Sequence, residues 1–89
     1  MTARITGRVQ GVGFRWWVRR QAEGLRLTGW VMNDNSERAV ELVAEGPPES
    51  LDELERRLLR GPDGARVEAV EARRSPASGE FERFGIVRA

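Results

Sequence analysis

The 89-residue sequence predicts an α+β fold in the order β-α-β-β-α-β, the split βαβ arrangement, with an extra strand at the end. Three observations predict it. Apolar residues recur at three- and four-residue spacing around Phe14–Leu25 and Leu51–Leu58, the period of a helix with one buried stripe. Shorter segments of strand character lie before, between and after those two. Glycine or proline marks the changes of period, at Gly11 and Gly13, at Gly46-Pro47-Pro48 and at Gly61-Pro62.

The first strand covers Ala3–Val9, with Ala3, Ile5, Gly7 and Val9 on one side and Arg4, Thr6 and Arg8 on the other. A turn follows at Gln10–Gly13. The first helix then places Phe14, Trp17, Val18, Gln21, Ala22 and Leu25 on its stripe, with Gly24 near its end and Trp16 off the stripe. A second strand covers Leu27–Asn33, a hairpin turn Asp34–Glu37 and a third strand Ala39–Glu45. Ser50-Leu51-Asp52-Glu53 reads as a capping box opening the second helix. That helix buries Leu51, Leu54, Leu58 and Leu59 and stops at Gly61-Pro62. Ala65–Ala72 is the fourth strand, Arg73–Gly79 a loop, and Phe81–Arg88 the fifth strand.

Composition narrows the chemistry. Apolar residues make up 39% and charged residues 33%, as expected of a single folded domain over 1–89. Cysteine and histidine are absent, and all 15 basic residues are arginine. An ordinary zinc site lacks its usual ligands, and cysteine nucleophiles, Ser-His-Asp triads, lysine Schiff bases and lysine-dependent phosphate loops are excluded. The formal net charge of +1 and six aromatics without tyrosine argue against a nucleic-acid partner. No apolar run has membrane-span length, and no apolar leader follows Met1, so a cytoplasmic location and no membrane partner are expected. Nothing in the sequence calls for more than a monomer.

The run Gly7-Arg8-Val9-Gln10-Gly11-Val12-Gly13-Phe14-Arg15 carries most of the functional information. A glycine turn opening a helix exposes free backbone N–H groups at the positive end of the helix dipole. An arginine there adds a planar charged fork matched to phosphate oxygens. A βαβ crossover makes the first two strands parallel, so Asn33, at the end of the second, should face the same pocket as this turn.

This run, with Gly29-Trp30-Val31-Met32-Asn33, resembles the pair of signatures of the acylphosphatase family. The resemblance spans essentially the whole chain, including Gly61-Pro62 and Phe81-Glu82-Arg83-Phe84. It implies a ferredoxin-like α/β sandwich, with two helices on one face of a mostly antiparallel sheet. It implies hydrolysis of the carboxyl–phosphate anhydride of an acyl phosphate, without metal or other cofactor, and with inorganic phosphate as product or competing ligand. Arg15, with the cradle Gln10, Gly11, Val12, Gly13 and Phe14, would hold the phosphate, and Asn33 the attacking water. The family usually has a glycine in the turn after its asparagine. Here Asn33-Asp34-Asn35-Ser36-Glu37-Arg38-Ala39-Val40 has none, and the valine comes one residue late. Asn35 is the candidate for the left-handed conformation and the alternative functional amide, although Gly29-Trp30-Val31 favours Asn33. Asp34 is the one nearby carboxylate that could act as a base. The competing function is a phosphate- or carbamoyl-phosphate-binding module without turnover.

Overall fold

The computed structural model describes residues 1–36 and 38–88. Strands β1 (Thr2–Arg8), β2 (Thr28–Asn33), β3 (Ala39–Glu45), β4 (Arg66–Arg73) and β5 (Phe84–Ile86) form one sheet in the order β4-β1-β3-β2-β5. Helices α1 (Phe14–Gly24) and α2 (Pro48–Arg60) pack on one face of it. β3 runs antiparallel to both β1 and β2, so β1 and β2 are parallel, as the crossover requires. β5 adds to the far edge of β2 as the sheet's one parallel neighbour pair. This is the ferredoxin-like sandwich with its additional strand. Among the described residues, no helix is long and apolar enough to cross a membrane.

Period-two alternation decides which side of each strand is dry. Ala3, Ile5 and Val9 of the first strand, Val31 of β2, and Val40, Leu42 and Ala44 of β3 point toward the helices and are buried. Phe14, Val18 and Ala22 of α1 and Leu51, Leu54 and Leu58 of α2 close over them. A register shift between Thr6 and Gly7 lets both Val67 and Val70 of β4 pack against this core.

Three local expectations need correction. α2 begins at Pro48, not at a Ser50 capping box, and its N-cap Pro47 makes no side-chain bond. Proline at N1 has no N–H to satisfy and a pre-set φ, so it opens the helix three residues early. Glu53 instead takes Arg57 Nε at 2.8 Å and also Arg56. Leu59 points to solvent, 61% exposed, because Leu51, Leu54 and Leu58 already fill the stripe. β5 is only Phe84–Ile86, since its ladder extends over Gly29–Val31 of β2 alone. α1 does end at Gly24, and beyond it Arg26 holds a left-handed φ of 59° while Leu27 N–H reaches back to Ala22 O at 2.9 Å.

A left-handed non-glycine residue costs about 1–2 kcal/mol. Arg26→Gly should therefore stabilise the fold by about 0.5–1 kcal/mol and raise Tm by roughly 2–8 °C. Thermal melts of the two proteins check this, and an unchanged or lower Tm would mean that the Arg26 side chain holds contacts worth the strain.

Candidate active site

The loop Val9–Gly13 leaves the end of β1 and turns into α1. Gly11 and Gly13 hold φ values of 75° and 74°, the left-handed region that glycine enters without a Cβ penalty. A Cβ built on either would meet nothing within 4 Å, so the space beside each glycine is open. α1 starts abruptly, with Trp17 N–H bonding Gly13 O at 3.0 Å. Among the described residues, the amides of Gly11 to Trp16 find no backbone acceptor, and the first turn of α1 carries no acidic residue. A row of free donors therefore sits at the positive end of a helix dipole, a ready anion site.

The predicted residues take distinct places around it. Arg15 lies on the first turn of α1, half-buried, and among the described residues makes no ion pair. Phe14 is a core side chain packed against Trp17 at 5.6 Å, so only its amide can serve the loop. Val12 also packs against the core and anchors the loop from below. Asn33 is the last residue of β2, on the helix side of the sheet. Its Oδ1 is buried and, among the described residues, has no hydrogen-bond partner. An unpaired buried acceptor costs about 1–3 kcal/mol and calls for an explanation.

Gln10 joins the two halves. Its Nε2 donates to Asp34 O at 3.1 Å, at the start of the β2–β3 turn, and to Ala39 O at 2.8 Å, at the start of β3. The side chain therefore ties the glycine loop to the turn that follows Asn33, leaving its backbone as its contribution to a cradle. Sequence reading groups Gln10 with the phosphate loop and gives no sign of this bridge, because the two ends lie 24 and 29 residues apart.

The turn also differs from expectation. Among the described residues, Arg26 alone takes a positive φ outside glycine, so Asn35 is not left-handed. Asp34 shapes the turn instead. Its Oδ1 accepts Ser36 N–H at 2.9 Å and Ser36 Oγ–H at 2.5 Å, and its Oδ2 pairs with Arg4. The Ser36 hydrogen bonds, with Arg4 adding to them, hold the Asp34 carboxyl below its usual value. That is the wrong direction for a general base at neutral pH. Glu37 of the predicted turn lies outside the described residues.

Over residues 1–86 the chain matches the acylphosphatase family model. It is 50% identical over 88 residues to an acylphosphatase of Salinibacter ruber, covering 99% of this chain and 92% of that protein. It superposes on the crystal structure of an acylphosphatase from Bacillus subtilis with a TM-score of 0.92 and 35% identity, over 97% of this chain and 94% of the other. A HypF protein from T. kodakarensis also contains the fold, with a TM-score of 0.84 and 30% identity over 100% of this chain but 12% of that one. The family model and these relatives define the class, a hydrolase acting on acid anhydrides. The chain belongs to the acylphosphatase family.

Proposed function

We propose that this protein hydrolyses acyl phosphates without a metal, with Arg15 and the Gln10–Phe14 amides on the phosphate and Asn33 on the attacking water. The observation that carries the reading is the buried, unpartnered Asn33 Oδ1 at the end of β2, joined through Gln10 to a loop of free amides. Arginine stays protonated and asparagine does not titrate, so neither serves as an ordinary acid or base. An acyl phosphate does not need one. Its leaving group is a carboxylate, whose conjugate acid has a pKa near ~4, and it departs without a proton. The protein has only to position the reactants and stabilise charge, which dominate phosphoryl transfer. The amide of Asn33 holds the water, and the water's proton passes to a phosphate oxygen of the substrate.

Hydrolysis of benzoyl phosphate in the presence of a chelator, followed across pH beside a phosphomonoester, tests this. The expected result is cleavage of the acyl phosphate alone, with kcat on a broad plateau around neutral pH. A bell with a limb near pH 6–7 would implicate a titrating group and overturn the mechanism. Phosphate binding without turnover would favour the second reading, a binding module.

A further inference from the structure

Asn33 and Asp34 are neighbours in sequence but serve opposite faces of the sheet. Val31 of β2 points to the helices and is buried, and Asn33 continues its parity. Asp34 turns to the uncovered face, where Arg4 of β1 lies. Arg4 stands opposite Glu41 of β3 and donates to its Oε1 at 3.0 Å. The same Nη1 reaches past β3 to Asp34 Oδ2. Every polar group of Asp34 is engaged. Its N–H bonds Ala39 O at 3.1 Å, its carbonyl takes Gln10, Oδ1 takes Ser36, and Oδ2 takes Arg4. The Asp34 side chain is 14% exposed and that of Arg4 39%, so the pair lies partly open on this face and acts through its geometry. The residue immediately before it is the one with a free buried acceptor.

We propose that Arg4 is a positioning residue for the reaction: its ion pair with Asp34, made on the face of the sheet away from the substrate, fixes the end of β2 and so holds the Asn33 amide in place. No glycine occurs between Asn33 and Arg38, so side chains rather than backbone freedom set this turn. With Asp34 released, the strand end can twist and carry Asn33 away from the phosphate. The inference rests on Asn33 holding the water.

The test uses Arg4→Gln and Asp34→Asn, which cut the ion pair, the second keeping an oxygen for Ser36. Each should lower kcat for benzoyl phosphate by about tenfold, in line with the steep cost of a misplaced catalytic group. Competitive inhibition by inorganic phosphate should stay within about twofold, since Arg15 and the loop amides are untouched. The double variant should fall no further than the weaker single, and Arg4→Lys should recover most of the loss. Folded variants with wild-type kcat, or phosphate inhibition that weakens in step with kcat, would overturn the proposal. An inactive wild-type protein would instead count against the catalytic reading. In that event the Asn33 side-chain amide signals in a two-dimensional NMR spectrum decide: shifted or broadened in Arg4→Gln supports the brace, unmoved rejects it.

Discussion

Replacing Asn33 with alanine should lower kcat for acyl phosphate hydrolysis by about 10²–10³ and leave the affinity for inorganic phosphate unchanged. The asymmetry follows from where the side chain sits. Asn33 ends β2 on the helix side, and its Oδ1 is bonded to no other described residue. Removing it therefore breaks no protein hydrogen bond and relieves an unsatisfied acceptor, so stability should hold or rise slightly. Only the oriented water is lost, and that contact matters in the transition state. Arg15→Ala should behave differently. The guanidinium meets phosphate in the ground state as well, so phosphate inhibition and kcat should weaken together. Steady-state kinetics with phosphate as inhibitor separates the two patterns. Unchanged kcat in Asn33→Ala would remove the residue from the mechanism.

Gly29→Ala should be among the most destabilising single substitutions in the chain. Gly29 holds φ at 138°, and a Cβ there would overlap the Val43 carbonyl oxygen of the paired strand. The obstacle is backbone in the middle of the sheet, so no side chain can swing aside. Relief would require opening the Gly29↔Ala44 register between β2 and β3, the two strands that carry Asn33 and its turn. A cost of about 3–5 kcal/mol follows from strain and lost pairing, enough to lower Tm by roughly 15 °C or more in a domain this small. Gly24→Ala is the matched control. Gly24 ends α1 with nothing within 4 Å of a built Cβ, and alanine there should be neutral or stabilising by up to about 1 kcal/mol. Thermal melts of both decide the matter. A Gly29→Ala protein melting within a few degrees of wild type would mean that the β2–β3 ladder yields more readily than its geometry suggests.

Much of the molecule was legible in the chain because its signals are local. Alternation from Ala3 to Val9 and from Ala39 to Glu45, the Phe14–Val18–Ala22 stripe and the glycine loop each reflect a period or a conformational need set by neighbouring residues. Parallel β1 and β2 followed from connection rules alone, and with them the shared edge for the loop and Asn33. The misreadings have local causes too. Ser50 and Glu53 carried the capping-box spacing, but Pro47-Pro48 nucleated the helix first. The left-handed turn at Arg26 had no signal in the chain, because arginine is not a residue that favours that conformation.

By itself the sequence determined the order of elements, the dry and wet sides of the sheet, and the residue types available for chemistry. Tertiary structure alone decided the rest. It set Gln10 across to the β2–β3 turn, committed Asp34 to Arg4 and Ser36 rather than to a proton, and left Asn33 Oδ1 unpaired. These are pairings between side chains and backbone groups brought together by register. Which partner wins depends on a few tenths of an ångström and on competing acceptors, and neither is written in the spacing of residues along the chain.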